Sequence, residues 1–161
     1  MKRLNEQALR DGNFVIYWMQ ATQRTEHNQA LEYSILEANK RNKFLLVYFG
    51  ITNSYPEANE RHYYFMLEGL KEVQRSLEQR EIPLLIQNVS PEFGVLKLAK
   101  NASLVVVDRG YTKVEKQWRN YVAERVLCPV VQVECNVVVP VETASPKELS
   151  LIHISEPTRP Y

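Results

Sequence analysis

Phe14–Met19 reads FVIYWM, six apolar or aromatic residues in a row behind a Gly12-Asn13 turn. Such a run is too short for a core helix and has no polar face, so it suits a strand buried on both sides in a parallel sheet. The same signature returns at Phe44–Phe49 (FLLVYF), Leu84–Val89, Leu104–Asp108 (LVVVD) and Val130–Val133 (VVQV), with Val137–Val139 expected to prolong or flank the last. Helical periodicity fills the gaps. Thr25 precedes Glu26 and a helix to about Asn42, on which Leu31, Ile35 and Ala38 share one face. Asn59 is placed to cap a longer helix to about Arg80, apolar at Tyr63, Met66, Leu67, Leu70, Val73 and Leu77. Gly69 inside it costs about 1 kcal/mol relative to alanine, which predicts close backbone packing on the sheet there. Ser90-Pro91-Glu92 reads as N-cap, N1 proline and first-turn acid of a short helix to Asn101. A last helix, Lys113 to Val126, is expected to turn Val114, Trp118, Tyr121 and Val122 inward and to leave Lys113, Lys116 and Arg119 on a solvated face. Five strands alternating with four helices predict an α/β protein. The expected architecture is a five-stranded, doubly wound, Rossmann-like parallel sheet of order 3-2-1-4-5 with helices on both faces.

Composition narrows the function. The 161 residues match one domain, and 45% apolar with 24% charged residues is ordinary globular usage. Twenty Lys+Arg against nineteen Asp+Glu leave a net charge of +1, without the basic excess that a wholesale grip on nucleic acid needs. No apolar run approaches the roughly 20 residues that span a bilayer, and the opening MKRLNEQALRDGN has no apolar signal segment. Cys128 and Cys135 form no disulfide framework, so a reduced, cytoplasmic protein is expected. The five glycines never cluster into a phosphate cradle, and His27, His62 and His153 stand apart without metal-ligand spacing. No self-contained catalytic site is legible.

In a doubly wound sheet, ligands bind beyond the carboxyl ends of the strands where the strand order reverses. That rule selects Gln20–Arg24, Gly50–Asn59 and Asp108–Thr112. There Arg24 and Arg109 are candidates to face a polar or anionic ligand, and Asp108 to accept from a ring N–H or a hydroxyl. The same spacing equally allows Asp108 and Arg109 to brace the loop, and Tyr17 and Trp18 to be plain core.

Longer stretches resemble a known family. YWMQATQRTEHNQALEYSILEANK (Tyr17–Lys40), FGITNSYPEANERHYYFMLEGLKEV (Phe49–Val73), VVVDRGYTKVEKQWRNYVAERV (Val105–Val126) and CPVVQVECNVVVPVETASPKE (Cys128–Glu148) are collinear with the N-terminal part of class II cyclobutane pyrimidine dimer photolyases. The resemblance runs over residues 3–148. Cys135 departs from it, standing where a small or polar residue is expected, at a position that packs beside a strand end.

The resemblance implies a reaction, a cofactor and a division of labour. The family splits cyclobutane pyrimidine dimers in UV-damaged DNA with light absorbed by reduced FAD, in a helical C-terminal domain that also receives the flipped dimer. The N-terminal α/β domain holds an antenna chromophore, of deazaflavin type in some relatives. Residues 1–148 are therefore expected to be an antenna domain that packs on an FAD domain absent from this chain, with no catalytic residue and no membrane partner. Trp18, Met19, Gln20, Arg24, Asp108, Arg109 and Tyr111 are the expected antenna-binding residues. Leu149–Tyr161 (LSLIHISEPTRPY) resembles translated sequencing-adapter sequence and is expected to be a non-native, disordered tail. The alternatives are a stand-alone α/β ligand-binding or interaction module, or a fragment of a cryptochrome-like photoreceptor.

Overall fold

The computed structural model describes residues 1–144; the expectation for Leu149–Tyr161 lies outside them. Strand β1 is Lys2–Arg3, β2 Phe14–Trp18, β3 Phe44–Ile51, β4 Leu84–Asn88, β5 Ala102–Asp108 and β6 Val130–Val133. The helices are α1 Gln29–Arg41, α2 Glu60–Glu78, α3 Pro91–Ala99, α4 Lys113–Arg125 and the single turn α5 Val141–Ala144. They build one mixed sheet of order β1-β6-β5-β2-β3-β4. The expected five-stranded sheet is thus corrected to six strands: β2 to β6 are parallel, and β1 adds antiparallel to β6 through Lys2↔Gln132 and Arg3↔Val131. Two residues carry too little pattern to announce a strand; this one exists because β6 leaves an edge open.

Strand alternation divides the core in two. Val15, Tyr17 and Met19 point to one face with Val47, Phe49, Leu104 and Val106, beneath Leu31 and Ala38 of α1 and Leu70, Val73 and Leu77 of α2. Ile16 and Trp18 point to the other with Tyr48, Val105 and Val107, beneath Val95 and Ala99 of α3 and Val122 of α4. Because both faces are covered, the strands can be apolar throughout; β5 is buried along its whole length.

Four further expectations need correction. The first helix starts at Gln29 and not near Glu26, because Asn28 is its N-cap: Asn28 Oδ1 accepts from the Leu31 N–H at 3.0 Å. Gly69 does not pack against the sheet, since a Cβ there would meet nothing within 4 Å. The close approach belongs to Gly94 of α3, whose added Cβ would fall 1.7 Å from the Tyr48 hydroxyl oxygen. Arg119 is not on a solvated face but only 4% exposed, and α4 turns Glu115, Arg119, Val122 and Ala123 inward. Val137–Val139 forms no strand and is exposed. Cys135 is buried, and its Sγ accepts from the Ala30 N–H at 3.2 Å.

Candidate functional site: a cleft at the strand reversal

The strand order reverses between β2 and β5. Over the carboxyl ends of β2 and β3 and the loop after β5 lies a cleft of about 810 Å³, within the range of small-molecule and cofactor sites. Met19, Gln20 and Ala21 contribute from the end of β2, and Phe49 to Thr52 from the end of β3. The β3–α2 loop adds Tyr55 and Pro56, and the first turns of α2 add Tyr63, Phe65 and Met66. Pro91, Tyr111, Thr112, Glu115 and Trp118 close the opposite side. Tyr55 and Trp118 meet edge to face with ring centroids 6.0 Å apart, and the Tyr55 hydroxyl lies 3.3 Å from Thr112 Oγ1. Glu57, His62 and Glu115 are the ionisable side chains of the lining besides the tyrosines; no lysine or arginine lines it among the described residues. A phosphate would find no fixed positive side chain there, whereas an uncharged planar ring would find aromatic walls.

A buried carboxylate holds the loop beneath the cleft. Asp108, fully buried at the end of β5, accepts from the N–H groups of Gln20 (3.0 Å), Ala21 (3.1 Å) and Thr22 (2.8 Å) and from the Tyr17 hydroxyl (3.1 Å). Burial pushes its carboxyl up from the ordinary aspartate range, and those donors pull it back. The β2–α1 loop is thereby tied to β5. Asn28 extends the tie, donating to Thr22 O at 3.3 Å and Arg24 O at 2.8 Å.

Of the seven residues expected from sequence, Met19, Gln20 and Tyr111 line the cleft. Trp18 faces the other core, and its indole N–H has no partner among the described residues. Arg24 is fastened to Asn136 Oδ1 (3.0 Å) and Cys135 O (2.9 Å). Asp108 lies beneath the loop. Arg109 pairs with Glu134 at 3.2 Å, and Tyr111 donates to the same Glu134. Four of the seven therefore stand outside the cleft lining, and Arg24, Asp108 and Arg109 brace the loops around it.

Tyr55, Glu115 and Trp118 line the cleft but are not among the seven residues expected from sequence: Tyr55 lies unnamed in the selected segment Gly50–Asn59, Trp118 is expected only as an inward residue of the last helix, and Glu115 carries no expectation. A signal existed for the last two. Thr112-x-x-Glu115 is a capping-box spacing, and both halves form: Thr112 Oγ1 accepts from the Glu115 N–H and Glu115 Oε2 from the Thr112 N–H at 3.1 Å. That box fixes where α4 begins and hence which side of it faces the cleft. Glu115 also packs against Gly110, where a Cβ would lie 2.3 Å from the carboxylate.

A model of the DNA photolyase family matches residues 15–158, nearly the whole chain. This chain belongs to the DNA photolyase family. It is 48% identical over 137 residues to a deoxyribodipyrimidine photo-lyase of Methanothermobacter thermautotrophicus, covering 85% of this chain and 31% of that protein. To the deoxyribodipyrimidine photo-lyase of Potorous tridactylus it is 32% identical over 140 residues, covering 83% and 26% respectively. The chain thus spans roughly a third or less of the length of these curated relatives. Among solved structures, a bacterial class III photolyase from Agrobacterium tumefaciens superposes with a TM-score of 0.62 at 18% identity, over 76% of this chain and 26% of that one. A universal stress protein in complex with cAMP reaches 0.51 at 16% identity, over 78% and 99%; at such identities the likeness is one of fold. Family membership disfavours the stand-alone-module alternative. Among the described residues no helix is long and apolar enough to cross a membrane, and no cluster of His, Cys, Asp or Glu has metal-site geometry.

Proposed function

We propose that this chain is the N-terminal α/β part of a class II cyclobutane pyrimidine dimer photolyase, and that its cleft binds a planar antenna chromophore of deazaflavin type. In this reading residues 1–148 are the antenna domain of a cytoplasmic enzyme, and residues 149–161 lie outside it. FAD and the damaged DNA are bound by the two thirds of the relatives' length that this chain does not cover. The chromophore, when bound, supplies light absorption and passes excitation to the flavin; the chain's own work is to hold the ring and keep water away from it. One observation carries the assignment: the cleft at the strand reversal has aromatic walls and, among the described residues, neither lysine nor arginine in its lining, while Gln20, one of its lining residues, keeps a buried side-chain NH₂ that has no partner among them. The described residues fit such a ring. Trp118, Tyr55 and Met66 supply apolar contact, and Gln20 supplies a donor for its polar edge.

The test is fluorescence titration of 5-deazariboflavin into the full chain. We expect saturable one-to-one binding, weakened up to about tenfold by Trp118→Ala, the upper end of what one aromatic contact contributes. Absence of saturation up to about 1 mM, a binding free energy near −4 kcal/mol, would sink the antenna reading. The repair reading has its own check. A polypeptide extending this chain to its relatives' full length is expected to bind FAD and split thymine dimers under blue light; failure of the FAD-loaded protein to do so refutes it.

A further inference from the structure

Gln20 is held at every point but one. It is 8% exposed at the end of β2. Its backbone N–H donates to Asp108, and its carbonyl accepts from Gln23 Nε2 at 3.1 Å. Its side-chain oxygen faces Arg119, whose Nη1 lies 3.4 Å from Oε1. A guanidinium has five donors and no acceptor, so the amide oxygen must be the end turned to it and the NH₂ the free end. Arg119 is itself fixed on α4, where its Nη2 donates to Gly110 O at 2.7 Å. Burial works against its charge, and the carboxylates of Glu115 and Asp108 help to keep it.

The neighbouring polar groups of the cleft are already engaged. Thr112 Oγ1 and Glu115 Oε2 are 2.6 Å apart, the Tyr63 hydroxyl donates to Thr52 O at 2.7 Å, and Tyr111 donates to Glu134. Gln20 Nε2 is buried and has no acceptor among the described residues. Native proteins leave few such donors unmade, and of the four buried unpartnered side-chain atoms among the described residues (with Trp18 Nε1, Arg41 Nε and the Tyr48 hydroxyl) this is the one on a residue that lines the cleft.

We propose that Gln20 is the specificity-determining donor of the cleft, that its side-chain N–H bonds to a ring carbonyl or ring nitrogen of an uncharged planar heteroaromatic ligand, and that Arg119 is the positioning residue that keeps the NH₂ end free for it. The inference rests on the cleft being a ligand site, and it adds which chemical edge of the ligand is read. Arg119 reaches the ligand only through Gln20. An Arg119→Lys variant that still donates to Oε1 preserves the selection; one that cannot donate loses it.

The experiment titrates 5-deazariboflavin into the full chain and into the variants Gln20→Leu, Gln20→Glu, Arg119→Met and Arg119→Lys. The carbonyl stretching band of the bound ring is recorded by infrared difference spectroscopy. Gln20→Leu is expected to weaken binding about tenfold, the size of one hydrogen bond, and to shift the carbonyl band back towards its free position. Gln20→Glu keeps a partner for Arg119 but has no donor, and should lose the band shift equally. Arg119→Met should lose the shift while Arg119→Lys retains it, a distinction that damaged packing alone does not produce. If the wild type binds and Gln20→Leu binds as tightly with an unchanged band, the inference is overturned while the cleft reading stands. If the band shift survives in Arg119→Met, the positioning role is wrong. If the wild type does not bind, both fall together.

Discussion

Asp108→Ala is expected to lower the stability of the domain by about 3–5 kcal/mol, with a melting midpoint lower by roughly 10 °C. The carboxylate is completely buried and accepts from three consecutive backbone N–H groups and the Tyr17 hydroxyl. Alanine removes every acceptor at once. Each orphaned buried donor then costs about 1–3 kcal/mol unless the loop opens to water, and opening it moves Gln20 and Ala21 out of the cleft floor. Asp108→Asn should fall in between, because it keeps one acceptor oxygen but sets an NH₂ group against N–H donors. Urea denaturation of the three proteins measures this. An alanine variant within 1 kcal/mol of wild type would show that the loop does not depend on the carboxylate. This residue was a candidate ligand contact from sequence; its burial makes it the anchor of the residues that do line the cleft.

Gly94→Ala should destabilise by about 3 kcal/mol, although alanine is the better helix former by about 1 kcal/mol. Sterics decide the sign. The new methyl would sit 1.7 Å from the Tyr48 hydroxyl oxygen and 2.6 Å from its ring carbon Cζ, and Tyr48 is wholly buried between α3 and the sheet. Neither partner can retreat without opening the core. Gly69→Ala in α2 is the control: its Cβ meets nothing within 4 Å, so the helix-propensity gain of up to about 1 kcal/mol should appear. Tyr48→Phe removes a hydroxyl that has no partner among the described residues, so alone it should be close to neutral or stabilising. Combined with Gly94→Ala it should recover part of the loss, a coupling that a double-mutant cycle measures. Equal effects of alanine at positions 69 and 94 would contradict the packing described for α3.

The layering of the molecule was legible in its sequence because burial on both faces leaves a direct mark. FVIYWM, FLLVYF and LVVVD are apolar at successive residues, which is tolerable only where helices cover both sides of a parallel sheet. The 3.6 spacing of Leu70, Val73 and Leu77 marked the inward side of α2 in the same way, and the strand-reversal rule pointed to the loops that meet at the cleft. What only the tertiary structure decided concerns groups whose placement depends on distant partners. Lys2–Arg3 is a strand because β6 offers an open edge, a fact absent from those two residues. Arg119 reads as surface by its charge, yet it is buried because Gly110 O and Gln20 Oε1 satisfy its guanidinium, the second from 99 positions away. Asp108 likewise became a brace through N–H groups 86 to 88 residues earlier in the chain. Hydrophobic periodicity is a local signal and survives in the sequence. The burial of a charge depends on which donors and acceptors the folded chain brings to it, and those come from separate strands and loops.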